Sequence, residues 1–315
     1  MAVDFGADSE TQSATTIRLH TPAMLAELLD VPPAAIRRWR RQGFLRAVCC
    51  VRQLPYFDFE EVAVAGRLAA LLKAGCSLRT IDRRLAELAR LTPGAERPWA
   101  DPAVVVEGRR LYLRRGDELA EPGGQLLLDF DNLAADELAD ERARLLLALP
   151  RTIAAATPTT EHSLEQLRQE AFDWEDEGQL DRAAEAYRML LLAGGPRADV
   201  QFALADVLYR AGDLGGARER FYCALEVDEE YVEARASLGC VLAETGELEL
   251  AAATFEGALA YHPEFADVHF HLAHVFDRLD RIDEAETHFR RFLALAPEGP
   301  WAAAARDRLG AASSE

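Results

Sequence analysis

Residues 198–231 read ADVQFALADVLYRAGDLGGARERFYCALEVDEEY, and residues 232–265 read VEARASLGCVLAETGELELAAATFEGALAYHPEF. Laid one over the other, the two stretches share a 34-residue frame. Gly212 falls on Gly246, Ala217 on Ala251, Phe221 on Phe255 and Ala205 on Gly239. The columns continue outward on both sides. Gly178 and Asp280 extend the first, Ala183 and Ala285 the second, Tyr187 and Phe289 the third, and Ala171 and Ala273 the fourth. Four columns in one register mark tandem repeats, each burying its apolar face only against its neighbours.

Each column has a physical reason. Small residues at 171/205/239/273 and 183/217/251/285 let two helices approach closely, where a Leu would overpack by roughly 1–3 kcal/mol. The aromatic column fills the space between one repeat and the next. The glycine column ends the first helix of each pair in a left-handed conformation, and Asp280 is a tolerated substitute. Pro263 and Pro297 stop the second helices of repeats three and four, whereas Gly195 and Glu229 stand there in repeats one and two. Trp301 to Leu309 reads as a capping helix.

Period and columns resemble the tetratricopeptide repeat (TPR) family. The resemblance implies a right-handed α-solenoid of helix pairs whose first helices line a concave groove. It would place Asp199, Phe202, Asp206, Tyr209 and Arg210 there from repeat two, and Glu233, Ser237, Cys240 and Glu244 from repeat three. Repeat four would add Asp267, Phe270, His271, His274, Asp277 and Arg278. Interleaved carboxylates and aromatics favour a protein or peptide partner that is basic or amphipathic. Phe202, Asp206, Phe270 and His274 stand where the family's carboxylate clamp needs Lys, Arg and Asn, so acidic C-terminal tails are not the expected ligand.

The N-terminal part follows another plan. In TPAMLAELLDV (21–31), Thr21 is a helix N-cap, Pro22 takes the first helical position, and Leu25, Leu28 and Leu29 form an apolar stripe. In PPAAIRRWRRQG (32–43), Ile36 and Trp39 face inward, Arg37, Arg38, Arg40 and Arg41 fan around the remainder, and Gly43 stops the helix. Two short helices joined by a tight turn make a helix-turn-helix. An Arg-bearing stretch to Phe57 suits a β-hairpin wing, Asp58 caps a third helix and Ser77 a fourth.

The order LAELLDVPPAAIRRWRRQGFL, a wing, YFDFEEV, then LLKAGCSLRTIDRRL resembles the MerR family of winged helix-turn-helix DNA-binding domains over residues 17–90. Arg37 matches the family's recognition-helix Arg and Trp39 an aromatic of its Arg-Tyr-Tyr. Arg38 replaces the other Tyr and Arg40 the usual Glu. Pro55 stands where the wing usually carries Arg, with Arg46 and Arg52 as substitutes. The resemblance implies double-stranded DNA as partner, contacted through Arg37, Arg38, Trp39, Arg40, Arg41, Arg46 and Arg52. The long dimer helix expected after the fourth helix is cut off by Thr92-Pro93-Gly94, which leaves homodimer formation open.

Charge divides along the same line. Residues 17–90 carry 13 Lys/Arg against 7 Asp/Glu, and residues 164–299 carry 12 against 29, within a chain of net charge −19. The asymmetry suggests a basic head for a polyanion and an acidic body that nucleic acid would repel, the body staying clear of the head. Five cysteines without framework spacing fit a reducing cytoplasm. No apolar run nears the ~18 residues that cross a bilayer, so no membrane partner is expected.

Val104–Val106 and Leu111–Leu113 read as a hairpin, Leu126–Leu128 as a third strand, and 132–149 as an amphipathic helix. Thr152 to Thr160 reads as a linker. The expected fold is mainly α, in six stretches. They are a disordered tail (1–16), the winged head (17–90), a linker with a small β element (91–131), a helix and linker (132–160), the TPR array with its cap (161–310), and a short tail (311–315). No phosphate loop, nucleophile elbow or zinc spacing appears, so neither enzymatic activity nor a cofactor is expected. Asp267, His271, His274 and Asp277 share a helix face, but no partner that would orient the imidazoles is visible, and no metal site is assigned to them. The expected function is a MerR-like DNA-binding transcription regulator with a TPR protein-interaction domain. The alternative is a TPR scaffold whose winged head binds protein.

Overall fold

The computed structural model describes residues 19–92, 94–115, 118–120 and 161–312. The N-terminal tail, the expected strand Leu126–Leu128, the expected helix over 132–149 and the Thr152–Thr160 linker lie outside them.

The head begins with α1 (Pro22–Leu29) and α2 (Pro33–Arg41). A hairpin of β1 (Cys49–Val51) and β2 (Leu54–Tyr56) follows, then α3 (Phe59–Lys73) and α4 (Leu78–Leu91). Three expected caps form: Thr21 Oγ1 accepts from Met24 N, Asp58 from Glu61 N and Ser77 from Thr80 N. Trp39 and Ile36 are fully buried, with Leu25, Phe57, Leu68, Ile81 and Leu85 around them. Each such side chain contributes ~1.5–3 kcal/mol by leaving water. On α1 the stripe is rotated from the expected one: Met24 and Leu25 are buried, whereas Leu28 is exposed.

The fourth helix ends at Leu91, and the chain turns back on the head instead of extending. A sheet of β3 (Val104–Glu107), β4 (Arg110–Arg115) and β5 (Glu118–Ala120) is antiparallel throughout, with Val105 opposite Tyr112 and Arg114 opposite Leu119. Among the described residues the third strand of this sheet is Glu118–Ala120. Val104 and Leu111 join the head's apolar core. Arg97 grips both oxygens of Glu61 at 2.7 and 2.8 Å, and Trp99 Nε1 donates to Phe44 O at 3.1 Å. The small sheet is therefore part of the head.

The array consists of four antiparallel pairs. They are α5 (Glu161–Asp176) with α6 (Leu180–Gly194), α7 (Ala198–Arg210) with α8 (Leu214–Val227), α9 (Val232–Glu244) with α10 (Leu248–Tyr261), and α11 (Ala266–Arg278) with α12 (Ile282–Leu295). The cap is α13 (Ala302–Ala312). Gly178, Gly212 and Gly246 have φ of 70°, 83° and 84°, and Asp280 follows them at 58°, so the turn column is left-handed in all four repeats. Both alanine columns and all four aromatics of the third are buried.

Repeat three departs from alanine at Gly239 for a visible reason. A Cβ there would lie 2.6 Å from the fully buried Phe255 ring. Gly239→Ala gains roughly 1 kcal/mol of helix propensity but forces overpacking that costs roughly 1–3 kcal/mol. The expected net result is a less stable protein, read as a lower urea midpoint; a raised midpoint would refute the steric account.

Candidate nucleic-acid interface and its seat in the repeat groove

The face of α2 that a helix-turn-helix would offer to a duplex is turned into the groove of the array. Arg37 reaches Asp206 on α7 through Nη1 at 2.9 Å and Glu233 on α9 through Nε at 3.1 Å. Its guanidinium lies 4.9 Å from the Phe202 ring centroid. Burial works against the charge on Arg37, but the two carboxylates outweigh it and its pKa is raised. Arg38 is nearly inaccessible and bridges the domains, pairing with Asp82 on α4 at 2.5 Å and with Asp176 at the end of α5. Arg41 sits 3.7 Å over the Phe172 ring. Arg40 remains exposed, with Nη2 3.5 Å from Cys50 Sγ.

The wing makes a second contact. Val51 pairs with Leu54, so Arg52 and Gln53 form a two-residue turn, at φ 47° and 68°. Such a turn usually takes Asn-Gly, and each non-glycine residue there costs ~1–2 kcal/mol. Both side chains are used: Arg52 pairs with Glu230 and Gln53 donates to Asp228, in the loop between α8 and α9. Met24 and Leu54 enter the array's apolar cluster, with Tyr56 packed against it. The Tyr56 hydroxyl bonds to His262 Nε2. From α4, Arg79 pairs with Asp173 at 3.3 Å and Glu177 at 2.6 Å.

Thr21 closes the seam at α11. Its hydroxyl accepts from Met24 N at 3.2 Å as the cap of α1 and donates to Asp267 Oδ2 at 2.5 Å. Asp267 is buried, and desolvation pushes its carboxyl up to about 7 against the help of the Thr21 bond, with Glu233 adding to the rise. A carboxyl raised above its unfolded value holds its proton longer in the folded chain. Its contribution is therefore most favourable below pH ~4 and is lost as pH climbs to about 7. Asp267→Asn keeps the acceptor and removes the charge. Its stability relative to wild type is expected to be unchanged near pH 4, to rise up to pH ~7 and to stay level beyond. The gain is at most about 4 kcal/mol, from three units at 1.36 kcal/mol each. Urea melts at pH 4, 6 and 8 measure it; a pH-independent difference would show that Asp267 is charged throughout.

Several expected site residues therefore serve differently. Trp39 is core and offers no surface to a duplex. Arg37, Arg38, Arg41 and Arg52 are engaged by the array, and Arg46 pairs with Glu96 at 2.5 Å within the head. The acidic body does not stay clear of the head; it receives it. Among the expected groove residues, Phe202, Asp206, Glu233 and Asp267 meet the head. Tyr209 donates to Glu244 at 2.5 Å and Arg210 to Glu175 at 2.8 Å, along the groove. Arg278 donates to Ala243 O at 2.8 Å, and Ser237 and Cys240 are half-buried. Phe270 is buried beneath Trp301, stacked at 5.2 Å, with His271 and His274 in the same aromatic cluster. Burial keeps both imidazoles below their ordinary pKa, His271 at about 4. Asp277 pairs with Arg308 of the cap. The set Asp267, His271, His274 and Asp277 is thus dispersed over three different jobs.

Sequence reading missed Thr21, Tyr56, Gln53, Arg79 and Asp176 as interface residues. The opposite charges of head and array are the signal in the sequence that could have found them, since they attract each other as well as repelling nucleic acid from the array.

Residues 21–88 match the family model described as MerR HTH family regulatory protein, and residues 175–231 and 236–300 match that of the tetratricopeptide repeat. Among solved structures, a MamA protein is 19% identical over 43% of this chain and 74% of its own, with a TM-score of 0.40. YrrB, described as a TPR protein with an unusual peptide-binding site, is 20% identical over 46% and 74%, at 0.43. A tetratricopeptide repeat protein from Parabacteroides merdae is 21% identical over 47% and 59%, at 0.43. No curated protein matches the chain. Among the described residues no helix is long and apolar enough to cross a membrane.

Proposed function

The chain joins a MerR-type helix-turn-helix segment to tetratricopeptide repeats, and from this premise we propose that it is a DNA-binding transcription regulator held closed by its own array. The observation that carries the reading is the pairing of the α2 arginines with groove carboxylates. Arg37 on Asp206 and Glu233 repeats in cis what a guanidinium does with a row of phosphates. On this reading the array competes with duplex for one face. The closed chain binds DNA weakly, and opening frees Arg37 and Arg41 from the array to act beside the already exposed Arg40. Binding alone is involved, without catalysis.

Selection of bound sequences from a random duplex pool tests it, using the full chain at low salt. An enriched motif is expected, and it should vanish with Arg37→Ala, Arg40→Ala and Arg41→Ala combined. Affinity should fall steeply with salt, since each phosphate neutralised adds ~0.9 to the slope. Absence of any motif, in a chain whose head has been released, would sink the regulator reading. The scaffold alternative would then stand, favoured by the burial of Arg38 between two carboxylates.

A further inference from the structure

We infer that the concave groove is a receptor for an arginine-bearing amphipathic helix of a partner protein, and that α2 is its intramolecular stand-in. The inference deepens the closed-form reading only in its consequence for DNA; the groove's ligand is argued from the groove itself.

The seated helix displays the chemistry the groove accepts. Arg37 and Arg41 are one helical turn apart on α2 and therefore share a face. Arg37 lies over Phe202 at 4.9 Å with the carboxylates of Asp206 and Glu233 beside it, and Arg41 lies over Phe172 at 3.7 Å. A flat ring beneath and a carboxylate beside suit a planar guanidinium, which stacks and hydrogen-bonds at once; an ammonium does not stack. The groove therefore selects arginine over lysine.

The stand-in fills the groove incompletely. A crevice of about 540 Å³ runs between α2 and the array, and its lining includes Glu165 and Asp199. Their arginine partners belong to the array and not to α2: Glu165 lies 3.9 Å from Arg168, and Asp199 pairs with Arg197, the residue that precedes α7. A competing helix has acidic side chains to seat on before α2 leaves. The array's side of the crevice is acidic, with Glu165, Glu175, Asp199, Asp206 and Glu233 against Arg168. Because partner helix and duplex both favour the chain with α2 released, each is expected to strengthen the binding of the other.

The probe is a lactam-bridged helical peptide with the sequence of residues 33–42, labelled with fluorescein and followed by anisotropy against three full-length chains. Arg37→Glu with Arg41→Glu, which loosens the resident helix, is expected to bind it at least tenfold more tightly than wild type. Asp206→Lys with Glu233→Lys is expected to bind at least tenfold more weakly than that variant. A peptide with lysine at every arginine is expected to lose at least tenfold. Equal affinity across the three chains overturns the inference, as does no binding to an Arg37→Glu, Arg41→Glu chain whose circular dichroism matches wild type. Should that pair fail to fold, Arg41→Ala replaces it, with a several-fold gain expected and none overturning. A wild-type dimer dissociated by the peptide would make a second copy the occupant and overturn the partner assignment. Failure with the peptide while charge reversal still releases DNA binding overturns this inference alone; peptide binding without DNA binding in any chain overturns the regulator reading alone.

Discussion

With Asp206→Lys and Glu233→Lys in the full chain, affinity for duplex DNA is expected to rise about a hundredfold, the equivalent of ~2.7 kcal/mol. The two carboxylates are the partners of Arg37, and both are largely shielded from solvent. Reversing them turns attraction into repulsion at a seam where the dielectric is below that of water, so each change acts more strongly than at an open surface. The closed form loses this free energy and the open form does not, and the population shifts by the difference. Two measurements separate the steps. Small-angle scattering should show a larger radius of gyration, and anisotropy with labelled duplex should show tighter binding that weakens with salt. Expansion without tighter binding would mean that the head has no affinity for duplex. An unexpanded chain would mean that Arg37 does not hold the domains together.

Arg38→Ala is expected to cost ~3–5 kcal/mol of stability, the range for removing one partner of a buried ion pair. Arg38 has 4% of its side chain exposed and stands between Asp82 of the head and Asp176 of the array. Without it, two carboxylates face each other across the seam with no cation between them. The loss is therefore charged to the junction, and neutralising the carboxylates should recover it. Arg38→Met combined with Asp82→Asn and Asp176→Asn is expected to regain most of the stability, following the rule that a buried charge left alone costs more than the intact pair contributes. Urea denaturation of the three chains measures both effects. A loss below ~1 kcal/mol in the single variant would indicate that water reaches the pair and that it behaves as a surface bridge.

Much of the fold follows from spacing that can be read along the chain. The 34-residue columns gave the helix pairs, their left-handed turns at Gly178, Gly212, Gly246 and Asp280, and the small contacts at Ala205 and Ala217. Thr21, Asp58 and Ser77 marked three helix starts, and the Arg-bearing stretch before Phe57 marked the hairpin wing. These features depend on residues a few positions apart, where chain geometry allows few choices. The return of the chain after Leu91 was less legible, because Val104 and Leu111 find their place only once the head's core exists.

By itself, then, the order of residues determined two kinds of domain, the arginine-rich second helix of the head and the acidic lining of the groove. That the helix lies inside that groove was decided by the tertiary structure alone. Arg37 meets Glu233 across 196 positions of chain and Thr21 meets Asp267 across 246. No local preference encodes such pairs; they arise from complementary charge and shape between surfaces that exist only after each domain has folded. The same arginines thus read as a duplex-binding face in one dimension and as the key to the protein's own lock in three.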